Sequence, residues 1–180
     1  MQSIFLKGSQ VISSEEFRLA LRHFPAGVTI VTIKAGEEVH GLTVSAFASV
    51  SAEPPLIMVI IENRHHAYRL LQQPEAVFAV NILGEEQSEL SNRFAWVKDE
   101  NRFALGNWTT AATGVPILSD ALAWLDCRIQ ARYPAGSHTI YVGEVHASKV
   151  PKEEAPPLIY WNRGYRKLNL VPEPQVLPQA

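Results

Sequence analysis

The chain has 180 residues, of which 47% are hydrophobic and 19% are charged, and its formal net charge is −2. This size and composition suit one globular domain, and the scattered charges form no basic stripe that would neutralise a nucleic acid. The single cysteine, Cys127, excludes an intrachain disulfide and gives no metal-ligand spacing. No signal-peptide pattern occurs, and the longest apolar run, residues 56–61, is too short to span a membrane. We therefore expect a cytoplasmic protein that binds neither nucleic acid nor membrane.

The first part of the chain predicts a helix followed by a β-hairpin. Ser13 and Glu16 have the spacing of a capping box, and apolar residues then recur at helical intervals, which predicts a helix over residues 14–23. Residues 28–33 are β-branched at every position and predict a strand. After a turn, Val39 begins a second predicted strand, which is rich in hydroxyl groups and continues to residue 51.

The rest of the chain predicts more strands than helices. In chain order, the patterns indicate a strand over residues 56–61 that is apolar on both faces, a helix over 64–73, a strand over 76–83, a helix over 85–94, an irregular segment over 96–115, two strands over 121–133 and 138–150, and a last strand over 157–165. A doubly wound α/β fold would need helices between nearly all strands. We therefore predict an all-β-dominated fold, an antiparallel β-barrel with a few short helices.

The domain organisation is simple. We predict an N-terminal extension over residues 1–12, one domain over residues 13–168, and a proline-rich tail over residues 169–180. The composition changes only at the two ends, and no internal repeat interrupts the domain.

Common motifs of catalysis and nucleotide binding are absent from the sequence. It has no G-x-G-x-x-G, no P-loop, no G-x-S-x-G, no H-E-x-x-H and no C-x-x-C. His65 and His66 are adjacent on a predicted helix, so they point in different directions, and we predict no metal site. If the chain is an enzyme, we expect a bound cofactor to supply its chemistry.

The segment over residues 41–56, GLTVSAFASVSAEPPL, has two faces of opposite character when it is read with a period of two. One face is small and apolar, and the other carries hydroxyls around one ring: Leu42, Val44, Ala46, Ala48 and Val50 against Thr43, Ser45, Phe47, Ser49 and Ser51. A half-exposed strand is the simpler explanation, although a solvent face of this length normally carries charge. The alternative is a wall whose short neutral side chains let a flat ligand lie close to the backbone.

Further segments before and after this one occur in a specific order along the chain. They are FxxALRxFxxGVTIVT at residues 17–32, FAVNIL at 78–83, GVPIL at 114–118, GSHTIYVGEV at 136–145 and PLIYWNRGY at 157–165. In order and spacing together, over about residues 14–168, the chain resembles the flavin reductase-like family with its FMN-binding split barrel.

The resemblance implies an NAD(P)H-dependent flavin oxidoreductase. Such an enzyme transfers hydride from NADH or NADPH to FMN or FAD and supplies reduced flavin to a partner monooxygenase. A flavin-binding electron carrier or sensor without this turnover is the alternative. A pyridoxamine-phosphate oxidase shares the barrel but would need more basic residues around a second phosphate. A half-open barrel and four tryptophans also imply a homodimer with flavin at the subunit boundary.

The resemblance also implies which residues contact the flavin. The ring would lie beside Thr43, Val44, Ser45, Ala46 and Phe47, the ribityl chain and phosphate beside Ser49, Val50 and Ser51, and the segment that closes over the phosphate would contain Arg64, His65 and His66. Asn81, Phe94 and Tyr165 complete the set of expected contacts. For Asn81 a core hydrogen bond is an equally good explanation, for Phe94 core packing is the simpler one, and Arg64 also fits a solvated helix start.

His138 is the one residue to which the resemblance assigns a part in the reaction. It lies where the family has a histidine in a G-D-H-like turn near the nicotinamide, and its implied role is positioning and electrostatic. Here Ser137 replaces the commoner aspartate, which leaves the tautomer and charge of His138 open. Arg163 is a weaker candidate for the same pocket. Ser45 stands where the family frequently has asparagine.

Overall fold

The structure is a computed structural model that describes residues 11–97 and 101–168. The predicted tail and most of the predicted N-terminal extension lie outside the described residues. The elements are α1 (Ser14–Leu21), β1 (Ala26–Gly27), β2 (Thr29–Ala35), β3 (Glu38–Val44), β4 (Phe47–Ser51), β5 (Leu56–Glu62), α2 (His66–Leu71), β6 (Val77–Ile82), α3 (Ser88–Trp96), β7 (Trp108–Thr110), β8 (Pro116–Leu118), β9 (Ala123–Ala135), β10 (His138–Lys149), β11 (Ile159–Trp161) and β12 (Gly164–Arg166), with short 3₁₀ helices at Glu85–Gln87 and Arg102–Ala104.

Seven of these strands form one sheet in the order β3-β2-β6-β9-β10-β5-β4, and every pair is antiparallel. β3 and β4 lie at opposite edges of this sheet, yet only Ser45 and Ala46 separate them in the chain. The sheet must therefore curl until its two edges meet, and the join lies at these two residues. The predicted antiparallel barrel with a few short helices is confirmed.

The strand β2 is apolar on both faces because one face packs inside the barrel and the other packs against α3. Because alternate residues of a strand face opposite sides, Val31 and Ile33 pack inside the barrel, while Ile30 packs outside it in a second core with Leu90 and Phe94 of α3. Each of these side chains is at most 5% exposed. Burying one such side chain contributes about 1.5–3 kcal/mol, so β2 joins the two cores.

The helix at the start of the chain begins as predicted. The Ser13 hydroxyl accepts a hydrogen bond from Glu16 N at 3.2 Å, and Ser13 N donates to Glu16 Oε2 at 2.9 Å, which completes the capping box. α1 nevertheless has no buried residue, and the side chains of Phe17 and Phe24 are 53% and 74% exposed. The apolar face of this amphipathic helix is therefore uncovered in the single chain.

The predicted continuous strand over residues 39–51 is wrong. β3 ends at Val44 and pairs with β2, whereas β4 begins at Phe47 and pairs with β5. The change of partner at the barrel edge ends the alternation between the two faces, so Ala46 is exposed and Val50 is 50% exposed, although both were expected on the core face. The strand β5 is fully buried on one face only, because Ile60 and its neighbours on the other face stay half-buried.

Two other predictions differ from the structure. The segment over residues 96–115, predicted to be irregular, contains a 3₁₀ helix and β7. The predicted last strand is a hairpin of β11 and β12, joined by Asn162 and Arg163, whose φ angles are 46° and 63°. Positive φ at both central residues is the geometry of a type I′ turn, which matches the twist of the flanking strands. Within the described residues no helix is long and apolar enough to cross a membrane.

Candidate functional site

Four clefts meet where β3 gives way to β4, and Ser45 lines all of them. Their volumes are about 480, 360, 200 and 290 Å³. We name them the arginine cleft, the tyrosine cleft, the histidine cleft and the Phe47 cleft, after the residues described below. Ser45 and Ala46 are not among the paired residues of either adjoining strand, although Ala46 O accepts a hydrogen bond from Ile60 N at 3.0 Å. Both residues have small side chains and are exposed. The predicted ring-binding segment therefore lies at a concave surface of the kind that binds small molecules.

The histidine cleft is lined by Thr43, Ser45, Glu62, His65 and His138, together with their apolar neighbours. β5 and β10 place Glu62 and His138 opposite each other as register partners. His65 Nε2 lies 3.5 Å from Glu62 Oε2. The structure therefore brings together two predicted site residues that are 73 positions apart, His65 and His138, around one carboxylate.

Glu62 keeps its negative charge in this cleft. Arg64 Nε donates to Glu62 Oε1 at 2.8 Å, and its Nη2 donates to the same oxygen at 2.5 Å. These hydrogen bonds from Arg64 hold the pKa of Glu62 below its usual value, and the nearby histidines act in the same direction. The histidine cleft therefore contains a fixed negative charge between His65 and the end of β10.

The hydrogen-bond partner of the His138 ring is the hydroxyl of Ser137, which does not fix the tautomer of the imidazole. Its Nδ1 lies 2.9 Å from Ser137 Oγ, and the imidazole is exposed. A hydroxyl both donates and accepts, so Ser137 permits either neutral tautomer, whereas an aspartate would require Nδ1 to donate. The next residue, Thr139, donates to Asn63 Oδ1 at 2.9 Å and attaches this end of β10 to the segment before α2.

The tyrosine cleft lies between β3, α3 and the last hairpin. Thr43 Oγ1 donates to Ser91 O at 2.6 Å, so this hydroxyl can only accept a further hydrogen bond. The Tyr165 hydroxyl lies 2.9 Å from both Ser91 Oγ and Asn92 Oδ1. On the rim, the Trp96 side chain is 76% exposed. This cleft offers acceptor oxygens and aromatic surface without a carboxylate.

The arginine cleft is the largest of the four and has cationic and aromatic walls. Arg18 and Arg22 come from α1 and its C-terminus, and Arg163 comes from the turn between β11 and β12. Phe24 and Trp161 supply ring surface, and none of the residues that line this cleft is acidic. The spacing of four residues places Arg18 and Arg22 on one helix face, which is the only sequence signal that could have identified them.

Two predicted contact residues lie in the protein core instead. Asn81 is fully buried, its Nδ2 donates to Ile30 O at 3.0 Å, and its Oδ1 accepts from Leu118 N at 2.8 Å. Phe94 is 1% exposed and packs edge-on against Phe103 at 5.2 Å between ring centroids. Both residues therefore have the structural role that the sequence offered as their alternative, and neither lines the four clefts.

The residues expected around the phosphate are only partly brought together. His66 does not line the histidine cleft: its Nε2 lies 2.5 Å from Glu38 Oε1, and its Nδ1 lies 3.0 Å from Arg69 Nη2. The side chain of Arg64 is 88% exposed and bound to Glu62. Three further predicted residues lie on the edge strand β4, exposed or half-buried and outside the four clefts, namely Ser49, Val50 and Ser51.

The donor set fits an organic ring with a polar edge. Short hydroxyl side chains, an accessible main chain at Ser45 and Ala46, and aromatic rims match a flavin, which needs neutral donors and acceptors. The described residues contain no group of three metal-ligating side chains. Burial raises the pKa of the Cys127 thiol to about 12, so this side chain is a core residue and no nucleophile at neutral pH.

Comparison with known proteins agrees with this arrangement. The family model of the flavin reductase like domain matches residues 21–169. The reductase component of a FADH(2)-dependent resorcinol hydroxylase from Rhizobium sp. (strain MTP-10005) is 40% identical over 155 residues, 84% of this chain and 85% of the relative. The reductase component of 4-hydroxyphenylacetate 3-monooxygenase from Thermus thermophilus is 40% identical over 154 residues, 86% of this chain and 96% of the relative.

A solved structure supports the same assignment. The flavin reductase HpaC complexed with NADP+ superposes with a TM-score of 0.80 at 32% identity, covering 88% of this chain and 100% of that chain. The family match spans most of the sequence, and the relatives match nearly their whole length. The chain belongs to the flavin reductase-like family.

Proposed function

We propose that the protein is an NAD(P)H-dependent flavin reductase that transfers hydride from NADH or NADPH to FMN or FAD. The observation that carries this proposal is the meeting of four clefts at Ser45, with His138 on one side and Tyr165 on another. Relatives that are 40% identical are reductase components of two monooxygenases, and a similar structure is a complex with NADP+. These relatives support both the reaction and its nucleotides.

The proposed ring site is the main chain and side chains from Thr43 to Phe47. Thr43 and Ser45 offer oxygen atoms, and Ala46 lets the ring approach the backbone. Ser49, Val50 and Ser51 on β4, and the segment of Arg64, His65 and His66, stay proposed as the path of the ribityl chain and phosphate. Their exposure on the edge strand and helix start is compatible with this role.

The protein contributes position and charge to the reaction. A bound flavin supplies the chemistry by accepting hydride from the reduced nicotinamide. The clefts would hold the flavin and nicotinamide rings close together, and such orientation can be worth an effective molarity of about 10⁵ M or more. His138 would position the nicotinamide, and Glu62, held charged by Arg64, places a negative charge in the same cleft. No protein group needs to form a covalent bond.

We also propose that the active form is a two-fold homodimer with flavin at the subunit boundary. The described chain leaves Phe17 of α1 and Phe24, which follows α1, more than half exposed, and α1 has no buried residue. A second copy of this chain is the occupant that such a face fits, because Leu21 of α1 lines the arginine cleft and Phe24 lines both that cleft and the Phe47 cleft. Flavin bound there would lie close to both subunits.

The wider setting follows from the proposed reaction. Reduced flavin would leave for a partner monooxygenase, as the names of the two reductase components suggest. A cytoplasmic location is part of the proposal, since reduced nicotinamide nucleotides are made and used there. Residues 13–168 remain our proposed folding unit, which the family match over residues 21–169 supports.

An absorption spectrum of the purified protein tests the function. With added FMN or FAD, followed by NADH or NADPH, we expect the flavin band to bleach without oxygen and to return when air is admitted. Reduction of the flavin by NADH or by NADPH supports a reductase. If flavin binds but neither nucleotide reduces it, a carrier or sensor is favoured. If the protein binds no flavin, both hypotheses are contradicted.

A further inference from the structure

We infer that the arginine cleft is a second anion site, which binds the adenosine diphosphate moiety shared by FAD and the nicotinamide dinucleotides. This inference rests on the proposed function. The site differs from the predicted path of the flavin phosphate. That path begins at the ring-binding residues 43–47, on the side of the histidine cleft, and runs along β4 toward Arg64. The arginine cleft instead opens between α1 and the last hairpin, and it shares Ser45 and Ala46 with the histidine cleft.

Charge is the first observation. Three guanidinium groups line the cleft, from Arg18, Arg22 and Arg163, and no lining residue is acidic. The side chain of Arg18 donates to Ser14 Oγ at 3.2 Å, a neutral partner that does not offset its charge. Arginine binds phosphate oxygens through paired N–H donors, so this set suits a diphosphate better than a single neutral ligand.

Shape and ring surface are the second observation. The cleft volume of about 480 Å³ lies within the usual range of small-molecule sites. Phe24 and Trp161 present aromatic surface beside the arginines, and the Trp161 ring is held by a hydrogen bond from Nε1 to His23 O at 3.2 Å. An adenine ring can stack on such surface while the diphosphate contacts the guanidinium groups.

The backbone of Arg163 is the third observation. Its φ is 63°, a conformation that costs an L side chain energy and that a glycine would adopt freely. An Asn-Gly pair is the preferred sequence for this turn, so the arginine is present despite its conformational cost. Asn162 N donates to Arg22 O at 3.1 Å, which holds the turn against the end of α1 and brings Arg22 and Arg163 to the same cleft.

The test uses isothermal titration of the full chain with ADP, adenosine and FMN. We expect ADP to bind and adenosine to bind at least about tenfold more weakly, because the contribution comes from the charged phosphates. Arg163→Gly and Arg22→Gln should each weaken ADP about tenfold or more and leave FMN affinity unchanged. Arg128→Gln, an exposed site on β9 with the same change of charge, is the matched control and should change neither affinity. Added salt should weaken ADP binding to the unaltered chain.

Arg163→Gly is the most informative variant because it removes the strained backbone together with the guanidinium. Its melting temperature should equal or exceed that of the unaltered chain, so lost ADP binding would not reflect unfolding. Steady-state KM values identify the source of the moiety. A raised KM for NADH with FMN as acceptor assigns the cleft to the nicotinamide dinucleotide, and a raised KM for FAD alone assigns it to FAD.

The inference would be overturned if ADP did not bind, if Arg163→Gly left the ADP affinity unchanged, or if the arginine variants weakened FMN binding but not ADP binding. It would also be overturned if the variants altered only the oligomeric state, since the arginines would then belong to a subunit interface. These outcomes can be distinguished from failure of the proposed function. If the protein reduces flavin but its ADP affinity does not depend on the arginines, only this inference is refuted. If ADP binding depends on the arginines but the protein does not reduce flavin, only the proposed function is refuted.

Discussion

Val44 ends a strand at one edge of the main sheet and Phe47 begins a strand at the opposite edge, although only two residues lie between them. This relationship makes the sheet a barrel and places its join at Ser45 and Ala46. The strand pairing changes from β2 to β5 there, and four clefts meet there. The proposed flavin site is therefore a consequence of how the barrel closes.

The first prediction concerns the space around Ser45. Ser45→Leu should abolish flavin binding, or weaken it by more than about 100-fold, because one larger side chain projects into all four clefts. Since Ser45 is exposed, the melting temperature should change by less than about 2 °C. Ser148→Leu, at an exposed position of β10, is the control. Flavin affinity that survives Ser45→Leu, measured by fluorescence quenching, would count against the site.

The second prediction concerns His138. His138→Ala should lower the rate of flavin reduction by NADH about tenfold or more in stopped-flow measurements, while the dissociation constant for flavin stays the same. The reason is that this exposed imidazole lines the histidine cleft, beside the proposed nicotinamide position. An unchanged reduction rate would show that His138 has no part in the reaction.

The third prediction concerns Ser137, the neighbour of that histidine. Ser137→Asp should fix His138 Nδ1 as a donor and favour the imidazolium form, because a carboxylate replaces the hydroxyl at 2.9 Å. The pH profile of flavin reduction should therefore shift toward higher pH. Ser137→Asn, which is similar in shape but neutral, is the control and should produce a smaller shift. Identical profiles in both variants would exclude an electrostatic role for this pair.

The fourth prediction separates core residues from flavin contacts. Asn81→Leu leaves Leu118 N without its hydrogen-bond acceptor in the core and should cost about 1–3 kcal/mol of unfolding free energy. Phe94→Ala should cost about 3–5 kcal/mol because it opens a cavity. Under conditions where each variant is folded, flavin affinity should be unchanged. Urea unfolding and flavin titration together test this, and a selective loss of flavin affinity would restore these residues to the site.

The fifth prediction concerns stability below neutral pH. Burial, reinforced by Arg102 and His66, lowers the pKa of His40 from 6.5 to about 4. Between pH 6.5 and about pH 4, His40 is therefore protonated in the unfolded chain but not in the folded chain. The free energy of unfolding that is present above pH 6.5 is accordingly lost as the pH falls toward 4. His40→Gln should show a shallower loss of melting temperature over this interval. Equal slopes in both proteins would contradict this assignment.

Much of the fold could be predicted because the local patterns agree with the final packing. The capping box at Ser13 and the β-branched run of β2 describe interactions with near neighbours in the sequence, and both occur as expected. The break at Ser45 escaped prediction because a period of two shows that residues alternate, and does not show when a strand changes its partner. The small neutral side chains of this segment are visible in the sequence, but their position at the join depends on how the barrel closes.

The arginine cleft escaped prediction for a different reason. Arg22 and Arg163 are brought together by contacts between distant parts of the chain, among them the hydrogen bond from Asn162 N to Arg22 O. Nothing in the local sequence of either residue specifies that contact. The left-handed conformation of Arg163 escaped prediction because residues 157–165 were predicted to form one continuous strand, and glycine is the residue expected at such a turn position.

The most direct measurement is a crystal structure of the protein with FMN bound. We expect the isoalloxazine ring to lie in van der Waals contact with the main chain of Ser45 and Ala46, with the His138 side chain facing the open side of the ring. A ring bound elsewhere, or a join between β3 and β4 that neighbouring side chains fill when FMN is present, would contradict this expectation.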